Sequence, residues 1–134
     1  MKSLKVKDYM ATKLVTLEQQ TNVVEAMAIL LEHGISGAPV VDDQGQLVGM
    51  LSEADIIQII VQDSYYDESQ GIVSDYMHAP VDTVDPEADI YSVAGQFAAQ
   101  HRRRYPVVSE GQLVGQISRR DVLRAMEAFL QHEQ

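Results

Sequence analysis

Gly45-Gln46-Leu47-Val48-Gly49, with Ser52 and Asp55 behind it, returns further along the chain as Gly111-Gln112-Leu113-Val114-Gly115, with Ser118 and Asp121 behind that. The match extends outward from this stretch. Pro39-Val40-Val41 returns as Pro106-Val107-Val108, Thr16 as Thr83, and Val6, Asp8, Tyr9 and Met10 as Val73, Asp75, Tyr76 and Met77. The register holds throughout, apart from one residue lost in the turn before Gly111. An internal repeat governs every local reading, and this one is too long for a solenoid. Two copies of a unit of roughly 60 residues describe a duplicated half-domain whose halves are each too small to be comfortable alone. The repeat sets the expected division: 1–66 for the first copy with its N-terminal segment and the start of the linker, 67–134 for the second. Gln62 to Gly71, rich in Asp, Glu and Ser, reads as the polar linker.

Periodicity gives the elements of each copy. Val15-Thr16-Leu17 and Thr83-Val84 are short strand candidates. Asn22 and Asp89 suit helix N-caps, and behind them Val23, Ala26, Met27, Leu30, Leu31 and Ile90, Val93, Ala94, Phe97, Ala98 place one apolar stripe at helical spacing. The first of these helices ends near Gly34. Ala38 to Val41 and Leu47 to Leu51, parted by Asp42-Asp43-Gln44-Gly45, read as a hairpin, with Tyr105 to Val108 and Leu113 to Ile117 as its counterpart. Ser52 and Ser118 cap closing helices that run to about Val61 and about Leu130. The fold class is therefore α+β, with β-α-β-β-α written twice.

Composition narrows function. The chain has 134 residues, 46% of them hydrophobic, and no cysteine, so neither a disulfide framework nor a thiolate metal site is available. The start Met1-Lys2-Ser3-Leu4 lacks the apolar run of a signal peptide, and the longest apolar region, Ile56 to Val61, is broken by Gln58. A cytoplasmic location and no membrane partner are expected. A net charge of −10 argues against nucleic acid. Its distribution says more: the lysines all lie at or before Lys13, the arginines all lie from Arg102 to Arg124, and no Lys or Arg stands from Leu14 through His101. An arginine cluster in an acidic protein is either a local anion site or a set of helix-surface partners for Asp121 and Glu127.

The repeat resembles the CBS domain family, from Val6 to about Leu130. The resemblance is carried by the openings Val6-Lys7-Asp8-Tyr9-Met10 and Val73-Ser74-Asp75-Tyr76-Met77, by Gly34-Ile35-Ser36-Gly37-Ala38-Pro39-Val40-Val41, and by the two Gly-x-x-Ser-x-x-Asp endings, Gly49 to Asp55 and Gly115 to Asp121. It implies two units packed sheet against sheet as a pseudo-twofold pair with clefts between them, a homodimer of such pairs, and an adenosyl ligand: AMP, ADP, ATP or S-adenosylmethionine. Physical chemistry agrees with that ligand class. Ser-x-x-Asp at a strand-to-helix junction sets a hydroxyl at the N-cap and an acceptor-only carboxylate one turn on, able to take both ribose hydroxyl protons. The preceding glycine would let a flat base approach the backbone, between Ile35, Ala38, Pro39 and Met50. Ser52, Asp55, Ser118 and Asp121 are thus ribose candidates, and the same four residues would serve equally as helix caps.

In one nucleotide-binding member, a kinase regulatory subunit, two basic residues just before the Leu-Pro of one repeat hold the phosphates of a ligand whose ribose sits on the partner repeat's Asp. Those positions fall on Arg103 and Arg104, and a third basic position between Ser and Asp falls on Arg120. Guanidinium forks grip phosphate with charge assistance. The converse site finds Ser36, Gly37 and Ala54, without a cation, so one phosphate-binding site and one weaker or empty cleft are expected.

His33, His78, His101 and His132 show no metal-ligand spacing and read as surface residues. No nucleophile elbow, phosphate loop or general acid-base pattern is present, so no enzyme activity and no catalytic cofactor are expected. Tyr65 and Tyr66 read as linker aromatics that pin the loop to the core. The function expected is a regulatory sensor module acting through an unidentified effector protein. The alternative is a ligand-free structural dimerisation module.

Overall fold

The chain from Asn22 starts as helix α1 (Val23–His33) because the Asn22 side chain accepts a hydrogen bond from the Val24 amide at 2.7 Å, supplying a partner that the first helical turn lacks. Asp89 does the same for α4 (Ile90–Gln100), accepting from Tyr91 and Ser92. Both belong to a computed structural model that describes residues 3–62 and 71–133. Gly34 closes α1 in the left-handed conformation, φ 64°, where its missing side chain removes the steric penalty. His101 closes α4 at φ 54° without that freedom.

The remaining elements are β1 (Leu17–Glu18), β2 (Gly37–Val41), β3 (Leu47–Ser52), α2 (Glu53–Gln62), α3 (Val73–Tyr76), β4 (Arg104–Ser109), β5 (Gln112–Ser118) and α5 (Arg119–Glu133). β1 runs parallel to β2, and β2 pairs antiparallel with β3, Ala38 facing Leu51 and Gly37 facing Ser52. β4 pairs antiparallel with β5, Tyr105 facing Ile117 and Arg104 facing Ser118. The strand expected at Thr83-Val84 is reduced to one parallel bridge between Val84 and Val107. The reason is local. Asp85-Pro86 turns the chain away at once, with the Asp85 carboxylate and carbonyl accepting from Glu87 and Ala88. The linker residues 63–70, with Tyr65 and Tyr66, lie outside the described residues, as does the side chain of His132.

These elements form two compact units, Val15–Val81 and Met1–Leu14 with Asp82–Gln134. Repeats and compact units are thus different divisions of the chain, because the openings are exchanged. The first opening, a short 3-10 turn at Val6–Asp8, is tied to the second copy: Val6 donates to the Ala88 carbonyl, Lys7 to that of Pro86, and Ala11 and Gln116 bond each other at 2.8 and 3.0 Å. The second opening is tied to the first copy: Val73 donates to the Thr21 carbonyl, Ser74 to that of Gln19, and Met50 and His78 bond each other at 3.1 and 2.9 Å. Lys5 and Lys7 add exposed ion pairs to Glu87, both at 2.9 Å. Hydrogen bonds from Lys5 and then Lys7 hold the Glu87 carboxyl below its ordinary value, and Glu87 raises the Lys7 ammonium.

The exchange explains why each core is complete. Leu17, Val23, Ala26, Leu30, Ala38, Val40, Leu51, Ile56 and Val73 are buried in one unit; Val84, Ile90, Val93, Phe97, Tyr105, Val107, Ile117, Val122 and Val6 are buried in the other. Taken in that order the two lists correspond position by position through the repeat, with Val73 and Val6 each lent by the opposite copy. The units differ in how they fill space. Where one uses Leu30 and Ala38, the other stacks Phe97 on Tyr105, ring centroids 4.7 Å apart, and the buried Tyr105 hydroxyl donates to Gln100 and the Gln96 carbonyl. Among the described residues no helix is long and apolar enough to cross a membrane.

Candidate functional site

Each Ser-x-x-Asp closes into a reciprocal cap. The Asp55 amide donates to Ser52 Oγ at 3.2 Å, and Asp55 Oδ2 accepts from the Ser52 amide at 2.8 Å and the Ser52 hydroxyl at 2.9 Å. In the other unit the Asp121 amide donates to Ser118 Oγ at 3.1 Å and Asp121 Oδ2 accepts from the Ser118 amide at 2.9 Å. This is a capping box with Asp in place of Glu, fixing the carboxylate at the positive end of its helix. A carboxylate fixed through one oxygen still has the other to offer.

There the two sites diverge. Asp55 Oδ1 has no hydrogen-bond partner among the described residues; its Oδ2 takes one further contact, from His78 Nδ1 at 3.1 Å. The Asp55 side chain keeps 25% of its surface exposed. Asp121 is buried, and its Oδ1 is taken by Arg124 one turn along α5. Among the described residues, one anchor therefore has an acceptor oxygen without a partner, whereas the other has already paired it with a permanent cation. The i,i+3 spacing of Asp121 and Arg124 was a visible helical signal. His78 was not, since its approach to Asp55 depends on the exchanged openings.

The arginines gather at one end of the β4-β5 hairpin. Arg104 faces Ser118 in register, and the Arg103 carbonyl accepts from the Arg119 amide at 3.2 Å, at the start of α5. Arg102 is committed to Asp82 at 2.7 Å. Arg103, Arg104 and Arg120 make no salt bridge among the described residues. At the opposite end of β2 from Ser52, a hollow lined by Thr16, Glu18, Val41, Asp42 and Asp43 collects carboxylates and would repel an anion.

Of the base candidates, Ala38 is fully buried in the core of its unit and Pro39 is fully buried as well. Ile35 is half-buried against that core, and Met50, half-buried, is bonded through its backbone to His78. The glycines have a packing task of their own. A Cβ on Gly49 would lie 2.5 Å from Met77 Sδ, and one on Gly115 would lie 2.5 Å from Met10 Sδ and 2.8 Å from the Ala11 carbonyl oxygen. The room that glycine leaves is filled by the exchanged opening, so the recurrent Met and the recurrent Gly are packing partners.

Comparison with known proteins bears on this geometry. The family model for the CBS domain matches residues 6–62 and again 73–128. The chain is 33% identical over 119 residues to the CBS domain-containing protein YhcV of Bacillus subtilis, covering 87% of this chain and 81% of that one. Among solved structures it is similar to CBSX2 in complex with AMP, a CBS-pair protein of Arabidopsis thaliana, with a TM-score of 0.81 and 28% identity over 98% of this chain and 100% of that one. It is also similar to the CBS domain pair of MJ0100 in complex with 5′-methylthioadenosine and S-adenosyl-L-methionine, with a TM-score of 0.76 and 25% identity over 93% and 97% of the two chains. Other relatives are longer. The chain spans 42% of the protein MJ1225 of Methanocaldococcus jannaschii and 15% of an A-adding tRNA nucleotidyltransferase of Aquifex aeolicus.

Proposed function

We propose, from the premise that this chain belongs to the CBS domain family, that it is a regulatory module which binds an adenine nucleotide or related adenosyl ligand and performs no chemistry itself. The observation that carries the reading is the Asp55 carboxylate, fixed through Oδ2 while Oδ1 has no partner among the described residues. A ribose diol needs an acceptor so prepared, because its two hydroxyls can then donate without first displacing an ion pair. Support comes from relatives whose structures hold AMP, or 5′-methylthioadenosine and S-adenosyl-L-methionine.

In this reading Ser52 and Asp55 form the principal ribose anchor, Ser118 and Asp121 a weaker one, and Arg103, Arg104 and Arg120 hold phosphate. Ile35 and Met50 offer surface to the base, while Ala38 and Pro39 shape the strand beneath them. The module works as a homodimer in the cytoplasm and signals to an effector protein. Its signal is limited to the ligand's difference in affinity between two arrangements of the module.

Thermal unfolding with AMP, ADP, ATP and S-adenosylmethionine tests the reading. A ligand at about 100 times its dissociation constant adds roughly 2.7 kcal/mol. A melting point unmoved by all four would leave a ligand-free dimerisation module as the function.

A further inference from the structure

The two anchors differ in a way that the repeat does not share. The residue in contact with the Asp55 carboxylate is a histidine, His78, whereas Asp121 is held by Arg124. The first copy has Ala11 at the position equivalent to His78. Arginine keeps its charge at every working pH; histidine changes charge between about pH 5 and 8.

The electrostatic setting makes that difference count. Val15–Val81 contains no lysine or arginine, so His33 and His78 are its only side chains able to carry positive charge. His33 sits exposed at the far end of α1. Against the His78 ring α2 sets Asp55, and β3 contributes no charged side chain. Asp75 in His78's own segment is spent on the Ile72 amide. Among the described residues Asp55 is the one charged group within ion-pair distance of the ring.

We propose that His78 is a pH-dependent positioning residue for the Asp55 anchor. Protonated, it holds Oδ2 by an ion pair, leaves Oδ1 to the ribose, and sets a positive charge beside an anionic ligand in a unit without lysine or arginine. Deprotonated, it loses the charge and donates to Oδ2 only as the Nδ1–H tautomer. Nucleotide affinity at this anchor therefore falls as pH rises through the histidine range, while the Arg124-held anchor has no such dependence. The inference rests on Asp55 receiving ribose, as proposed above.

Calorimetry with AMP across about pH 5 to 8 on the wild type and His78→Gln tests it. The ratio of the two dissociation constants at each pH cancels the phosphate ionisation of AMP itself. His78 is half-exposed and its link to Met50 is through the backbone, so the variant should fold. The variant is expected to bind roughly two- to fivefold more weakly at the acid end, the worth of an exposed ion pair, with the gap closing at the alkaline end. Parallel pH profiles for the two proteins would overturn the inference while leaving the proposed function standing. Absence of AMP binding at every pH would overturn the nucleotide reading, and this one with it.

Discussion

Substituting alanine for Gly115 should destabilise the protein by about 2–3 kcal/mol, an overpacking cost. Its first component is steric: the new Cβ would lie 2.5 Å from Met10 Sδ, 3.0 Å from Met10 Cγ and 2.8 Å from the Ala11 carbonyl oxygen. The methionine can swing aside. The carbonyl cannot, because Ala11 is tied to Gln116 by hydrogen bonds of 2.8 and 3.0 Å in both directions. Relief therefore requires the opening segment to lift, weakening bonds worth about 0.5–1.5 kcal/mol each. Gly49→Ala is the matched control, since its nearest backbone atom, the His78 carbonyl oxygen, stands at 3.1 Å and the closest contacts are with the flexible Met77 side chain. About 1–2 kcal/mol is expected there. Urea denaturation at constant m-value measures both. Met10→Ala in the Gly115→Ala background should recover only the side-chain part. A Gly115→Ala variant within about 0.5 kcal/mol of wild type, or one less damaged than Gly49→Ala, would refute the packing of the exchanged opening on this glycine.

Gly34→Ala meets no atom within 4 Å, so its expected loss of about 1 kcal/mol is purely the left-handed backbone penalty. His101→Gly should conversely stabilise by about 0.5–1 kcal/mol, read in the same urea series. Tyr105→Phe removes a buried hydroxyl that donates to Gln100, costing about 1 kcal/mol at neutral pH. Burial raises the Tyr105 hydroxyl above its ordinary value of 10.0, with Arg102 opposing and Asp82 reinforcing. Because the folded-state value is the higher one, wild-type stability is intact below the unfolded value and is lost as pH climbs from there through the folded value; Tyr105→Phe should lose less across that window, keeping the loss that deprotonation of Lys7 brings. Denaturant midpoints on either side of the ordinary tyrosine value check this.

Much of this fold was legible because duplication writes each signal twice. Asn22 and Asp89 were readable as caps, and the stripes Val23-Ala26-Leu30 and Ile90-Val93-Phe97 as buried helix faces, from side-chain chemistry and spacing alone. The exchange of openings was not legible. Val6 and Val73 occupy equivalent positions, so either could complete either core, and nothing in a local pattern decides which. Two features of the candidate site descend from that exchange. Gly49 and Gly115 make room for Met77 and Met10, and His78, a surface residue as its sequence suggested, also touches Asp55. Thr83-Val84 failed as a strand for a separate, local reason, the turn at Asp85-Pro86.

The most direct test of an adenosyl site built on Asp55 is calorimetry with AMP on Asp55→Asn beside Asp121→Asn. Asparagine preserves an acceptor for the helix cap while removing the charge and one acceptor oxygen, so fold and ligand are separated. Asp55→Asn should lose the tighter binding event, and Asp121→Asn should retain it. AMP binding to Asp55→Asn with wild-type affinity would contradict the assignment.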